Sequence, residues 1–175
     1  IIDDELYFRV SARSVNRDGY YTNATRNDDS DPLSDQSLRG RLFWEPSDDI
    51  SMDFKVNTSR NVGRGIGFQF APIYGESNDD ANVKELPYIA NNEDRGTRDT
   101  VGLSLVTKVN FDTVSFSSIT SWDDIESSAR ADQFPYTAFA NGVDSDTPFG
   151  DGTQGTYEDT SGWSQEFRLN SNTDS

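Results

Sequence analysis

The chain has 175 residues, and its 31 acidic and 15 basic side chains give a formal net charge of −16. So acidic a chain is unsuited to the phosphate backbone of nucleic acids, and we expect no nucleic-acid partner. It contains neither cysteine nor histidine, which excludes disulfides, thiol nucleophiles, imidazole bases and zinc sites built on those ligands. Apolar residues are sparse at 33%, but aromatic residues reach 12% and cluster in patterns. This composition favours an ordered, β-rich chain over a disordered one.

Alternating apolar and polar residues predict six strands. The first alternation starts at Leu6 and Phe8, and the last runs from Trp163 to Leu169. Ile119 falls on the polar side of its segment, which predicts a β-bulge there. The predicted strands cover residues 4–13, 37–45, 50–60, 98–109, 113–122 and 161–170.

The connections between these strands alternate between long and short. Residues 46–49 (Pro-Ser-Asp-Asp) and 110–112 (Asn-Phe-Asp) are typical of tight turns. Long loops are predicted at 14–36, 61–97 and 123–160, and they hold 20 of the 31 acids. Long loops at one end of the strands and short turns at the other are typical of bacterial outer-membrane barrels. The fold class expected is therefore all-β, an antiparallel transmembrane β-barrel segment of about six strands.

The three tryptophans fit the same interpretation. Trp44 falls at the short-turn end of the second predicted strand, whereas Trp122 and Trp163 fall at the long-loop ends of the fifth and sixth. Aromatic residues concentrate at both lipid–water boundaries of membrane barrels. The alternative is that they cap the core of a soluble β-sandwich.

Four segments together resemble the barrel domain of TonB-dependent outer-membrane receptors. Their order and spacing carry the resemblance, rather than any single motif. They are LYFRVSARSVNRDGYYTN at 6–23, LRGRLFWEPSDDISMDF at 38–54, VSFSSITSW at 114–122 and WSQEFRL at 163–169.

This resemblance implies that residues 1–175 are part of a 22-stranded barrel whose plug domain lies outside the chain. The intact receptor would capture and import a scarce nutrient, such as a ferric siderophore, cobalamin or an oligosaccharide. Its location would be the bacterial outer membrane. Its partners would be outer-membrane lipid, the rest of the barrel, the plug, a small-molecule ligand and, through regions outside this chain, the TonB complex. The receptor would not be an enzyme, and we expect no cofactor.

Aromatic residues in the long loops are the candidate ligand-binding residues. Rigid, amphipathic rings suit stacking on a sugar or a catecholate, although such rings also pin long loops against their neighbours. The candidates are Tyr74, Tyr88, Phe134, Tyr136 and Phe139.

Clusters of acids raise the possibilities of a metal site and of a hydrolase. None has the spacing of a calcium-binding loop, so no metal site is predicted. A surface hydrolase working through paired aspartates, such as Asp123 and Asp124, remains an alternative, although sequence neighbours do not provide the required carboxylate geometry. The other clusters lie at 28–31, 79–80 and 144–146.

Charged residues opposite the apolar stripe of the second and third strands would face the barrel lumen. Either cross-strand pairing or contact with a plug explains them. They are Arg39, Arg41, Lys55, Glu45 and Asp53.

The main alternative to the barrel is a secreted acidic β-sandwich that binds carbohydrate. A sandwich would bury the apolar stripe against a second sheet, whereas a barrel would present the stripe to lipid. The residues that discriminate between them are Leu6, Phe8, Leu42, Phe54, Leu103 and Phe116.

Overall fold

The computed structural model describes residues 5–23, 26–65, 90, 92–132 and 152–172. Within these residues the fold is all-β and antiparallel, with no helix, which confirms the all-β, antiparallel part of the prediction. The strands are β1 (Leu6–Arg17), β2 (Tyr21–Asn23), β3 (Asp28–Ser30), β4 (Leu33–Ser47), β5 (Ile50–Gly63), β6 (Arg95–Asn110), β7 (Val114–Asp132) and β8 (Thr153–Ser171).

Six of these strands form one sheet in the order β1-β4-β5-β6-β7-β8. Each strand pairs antiparallel with its neighbour in that order, so the sheet is an up-and-down meander. The six strands correspond to the six predicted from alternation. Their short connections lie at one end of the sheet and their long connections at the other.

A small hairpin of β2 and β3 occupies the interior of the predicted loop 14–36. Asn27 (φ 54°) is at its tip, and Asp31 (φ 65°) follows β3. Both residue types tolerate the left-handed region better than most. The Asn27 amide donates to the Asn23 carbonyl at 2.8 Å, which closes the turn.

The strands extend well beyond their predicted ends on the long-loop side. β1 continues to Arg17, β7 continues to Asp132, and β8 begins as early as Thr153. The outer parts of the predicted loops 14–36, 61–97 and 123–160 are therefore strand. In these extensions most side chains on both faces are polar, and hydroxyl pairs such as Thr97 with Ser128, at 2.8 Å, join the strands. Because apolar alternation is absent there, the sequence pattern gave no strand signal.

The predicted bulge at Ile119 is wrong. Pairing between β6 and β7 runs from Ser115 to Arg130 on β7 without a shift, and Ile119 lies opposite Val106 on the polar face. The sheet's irregularity lies instead between Trp44 and Ser47. Proline, which has no N–H to donate, occupies position 46 within it.

The sheet is a single layer, and little of it is buried. Among the described residues, the buried apolar side chains are Ala90 and Ala131, at 2% and 0% exposure. Large apolar side chains along the middle of the sheet are exposed instead, including Phe8 at 62% and Leu42 at 42%. No second sheet covers this apolar face within the described part of the chain.

Candidate functional site

The five predicted ligand-binding aromatics lie outside the described residues. Tyr74, Tyr88, Phe134, Tyr136 and Phe139 therefore remain predictions. The described residues form three surfaces that could bind a partner or ligand: the two faces of the sheet and the base of the long loops.

The apolar face is organised in rows that cross the sheet. One such row is Phe8, Leu42, Phe54 and Leu105, each directly opposite the next, and it ends in Thr120 and Gln165 on β7 and β8. At the short-turn end, Ile50, Val109, Phe116 and Leu169 form another row. Towards the long loops the apolar rows give way to a fully polar one, Ser14–Gln36–Arg60–Asp99–Glu126–Asp159. The face is thus an apolar band with a sharp polar boundary.

Two tryptophans mark that boundary on the last two strands. Trp122 and Trp163 are directly opposed, and the next pair on the same face is Asp124 and Ser161. These tryptophans had been predicted at the strand ends, which is wrong, because β7 and β8 continue for about ten residues towards the loops. They lie at the end of the apolar band instead.

The polar face carries an ion-pair network centred on Asp53. The Arg41 guanidinium donates to Asp53 from Nε at 2.7 Å and from Nη2 at 3.2 Å, and the Lys55 ammonium lies 2.8 Å from the same carboxylate. The expected cross-strand pairing occurs between Arg41 and Asp53, and Lys55 joins this pair from the same strand as Asp53. Arg39 and Glu45 form no ion pair within the described residues.

The register adds Arg9 to this charged region. Arg9 lies directly opposite Arg41, which in turn lies opposite Lys55. The sequence pattern indicated that Arg9 shares the polar face of its strand, but only the register of β1 on β4 puts it in the same row. Beyond Lys55 the row continues with three small polar residues on β6, β7 and β8, namely Ser104, Ser121 and Ser164.

The base of the long loops is held by side chains that bind backbone. The Asn23 amide, 2% exposed, donates to the Ala90 carbonyl at 2.9 Å and accepts from the Ala90 amide at 3.3 Å. The Asp94 side chain, also 2% exposed, accepts from Arg64 Nε and from the Gly65 amide, each at 2.7 Å. These bonds attach the segment around residues 90–94 to the hairpin and to the end of β5.

A cavity of about 180 Å³ lies between these segments, beside Arg26 and Asp28. These two residues form an ion pair at 2.8 Å, and the hydrogen bond from Arg26 to Asp28 raises the pKa of the guanidinium. Both acidic and basic side chains line the cavity. No group of three potential metal ligands occurs among the described residues. It is therefore a structural junction of the loops.

Asp123 and Asp124 do not form a carboxylate pair. They are consecutive strand residues, so their side chains point to opposite faces of the sheet. This arrangement cannot flank one sugar or hold one water between two carboxylates. Clusters 79–80 and 144–146 lie outside the described residues.

No family model matches this chain, and no curated protein is similar enough to match it. Among the described residues, no helix is long and apolar enough to cross a membrane.

Proposed function

We propose that this chain is part of the barrel wall of a TonB-dependent outer-membrane receptor. The intact receptor captures a scarce nutrient, such as a ferric siderophore, cobalamin or an oligosaccharide, and imports it. One observation carries the proposal: no other described part of the chain covers the apolar face of the six-stranded antiparallel sheet, where Phe8 is 62%, Phe167 66% and Leu169 70% exposed. In water such a face is unfavourable, whereas in a bilayer lipid tails cover it.

The height of the apolar band supports a bilayer setting. On β6 the band runs from Val101 to Val109, eight residue steps of ~3.4 Å, or about 27 Å along the strand. A strand tilt of about 40° reduces this to roughly 21 Å along the membrane normal, close to the ~25 Å apolar band of outer-membrane barrels.

The distribution of connections supports the same orientation. The short turns after Ser47 and after Asn110 lie below the apolar band, on the side expected to face the periplasm. The long, acidic connections lie on the other side, beyond the polar row that ends the band. In this arrangement the loops capture the ligand outside the cell, and the strands separate the lumen from lipid.

The two faces of the sheet have different roles in this proposal. The apolar face contacts lipid, the polar face lines the lumen, and the edges of β1 and β8 pair with further strands of the barrel. The plug and the contact with the TonB complex belong to regions outside this chain. Such a receptor binds and transports its ligand without chemically changing it.

Spin labelling at two adjacent residues tests the proposal. The chain has no cysteine, so Leu103→Cys and Ser104→Cys variants each carry one label, on opposite faces of β6. In reconstituted bilayers, the label at position 103 is expected to collide with oxygen dissolved in lipid and to be shielded from a water-soluble nickel chelate. The label at 104, the matched control, is expected to show the reverse.

The outcome that would contradict the proposal is equally specific. A label at 103 that is accessible to the water-soluble reagent, or shielded from both reagents, would remove the lipid-facing role. Shielding from both would favour the β-sandwich, in which a second sheet covers this face. A Leu42→Cys variant, with its label on β4, repeats the measurement on a different strand.

A further inference from the structure

Four cations form a cluster on the polar face of β1, β4 and β5. Arg9, Arg41 and Lys55 are consecutive in one cross-strand row. Arg39 lies in the adjacent row, between Ser11 and Asn57. We call Arg9, Arg39, Arg41 and Lys55 the cationic cluster. It stands out in a chain whose formal net charge is −16.

The cluster is electrostatically unfavourable as it stands. Like charges directly opposite each other across neighbouring strands destabilise a sheet, and here two such pairs are adjacent. Asp53 offsets part of the repulsion by pairing with both Arg41 and Lys55. Arg9 and Arg39 have no carboxylate partner among the described residues. The cluster therefore carries uncompensated positive charge.

The surface around the cluster has the chemistry of an anion site. An open depression is lined by all four cations together with Ser11 and Asn57. Guanidinium groups offer several fixed donors to carboxylate or phosphate oxygens. The hydroxyl and the amide add neutral hydrogen-bonding groups at the rim.

We propose that the cationic cluster binds a small anion carrying at least two negative charges, either a polycarboxylate or a phosphate compound. Arg9 and Arg39 bind the anion directly, since neither is engaged by a carboxylate of the described sheet. Arg41 and Lys55 remain held by Asp53 and contribute positive potential. The site lies on the described strands β1, β4 and β5. It does not depend on the transport role proposed above.

The local potential is tested by a charged thiol reagent at a single introduced cysteine. Asn57→Cys places a thiol beside Arg39, and Ser164→Cys, in the same row as Lys55 but three strands away, is the matched control. Three strand spacings amount to about 14 Å, beyond the Debye length of roughly 8 Å in physiological salt. Both variants are prepared as the full chain in detergent micelles, the fraction that does not aggregate is isolated by size-exclusion chromatography, and its β-sheet content is checked by circular dichroism.

The expected result is a difference in charge preference between the two positions. An anionic methanethiosulfonate should react about tenfold faster than a cationic one at Asn57→Cys, relative to the same ratio at Ser164→Cys. Raising sodium chloride to about 0.5 M should reduce the preference, because screening shortens the range of the potential. Adding Arg39→Gln should also reduce it, whereas the remote Arg98→Gln, on β6, should leave it unchanged.

Two probe anions then distinguish a polycarboxylate ligand from a phosphate ligand. Citrate that slows modification at Asn57→Cys identifies a polycarboxylate site, and pyrophosphate that does so identifies a phosphate site. Equal charge preference at the two positions, or no protection by either anion, would overturn the proposal. A thiol at position 57 that reacts with neither reagent would also overturn it, because protein would then cover the cluster. If Asn57→Cys loses β-sheet content, Ser11→Cys probes the same depression from β1.

Discussion

Trp122 lies directly opposite Trp163 on neighbouring strands, and on its other side it faces Leu103. One step further on the same face, Asp124 lies opposite Ser161. The surface therefore changes from aromatic to polar within a single pair of residues. An indole ring, with an apolar body and one N–H donor, is suited to such a boundary between lipid and water.

Tryptophan fluorescence should report this boundary. In bilayers, a Trp44→Phe variant leaves Trp122 and Trp163 as the emitting residues, and lipids brominated near the headgroup should quench them more than lipids brominated near the chain ends. The reason is that both indoles lie at the edge of the apolar band. Emission typical of water-exposed indole, unaffected by brominated lipid, would contradict this placement.

Asn23 should be important for the base of the loops. Asn23→Ala removes the two hydrogen bonds to the backbone of Ala90 and leaves buried polar groups without partners, at a cost of about 1–3 kcal/mol. Hydrogen exchange at the Ala90 amide is therefore expected to be about 10- to 100-fold faster. Thr22 is the exposed residue next to Asn23. Thr22→Ala is therefore the control, and it should leave this exchange rate unchanged.

Asp94 should fix the point at which the chain leaves β5. Asp94→Asn weakens its bonds to Arg64 and to the Gly65 amide, so trypsin should cleave after Arg64 more quickly. Its neighbour Glu93 pairs with exposed arginines, Arg95 and Arg130, and such surface pairs contribute about 0–1 kcal/mol. Glu93→Gln is therefore the control. Equal cleavage rates in the two variants would show that Asp94 does not hold this segment.

The fold could be predicted from sequence wherever one face is apolar. Residues such as Phe8, Leu42 and Phe54 alternate with polar neighbours, and that pattern located all six strands of the sheet. The pattern failed in the extensions. There Ser127 and Ser128, which point to opposite faces, are both polar, and yet both remain paired with the neighbouring strands. Backbone hydrogen bonds and hydroxyl pairs such as Thr97 with Ser128 continue the strands there, and they leave no apolar alternation in the sequence.

The candidate surfaces were less predictable because they depend on register. Arg9 and Arg41 are 32 positions apart, and alternation shows only that each is on the polar side of its own strand. Sequence alone does not fix which residue of β1 faces which residue of β4, since the long connection between them sets no register. The same limitation concealed the pairing of Asn23 with Ala90.

Replacing both aspartates after Trp122 should have little effect. Asp123 and Asp124 project to opposite faces, so they cannot act together on one substrate. If the chain belongs to the proposed receptor, an Asp123→Asn, Asp124→Asn variant should retain its ligand uptake and change stability by no more than about 0.5 kcal/mol, as is usual for surface substitutions. A loss of several orders of magnitude in a hydrolytic rate would instead support the enzyme alternative.

The isolated chain in water should not be a stable monomer. β1 and β8 each have one unpaired edge in the described sheet, and the apolar face exposes residues such as Trp163 at 74% and Leu169 at 70%. Open edges and exposed apolar surface both promote association. Light scattering should therefore detect aggregates of residues 1–175 in detergent-free buffer. Detergent should reduce them only partly, because it covers the apolar face without supplying strands to the edges. A monomer with one sharp thermal unfolding transition in that buffer would contradict the barrel interpretation and favour a β-sandwich.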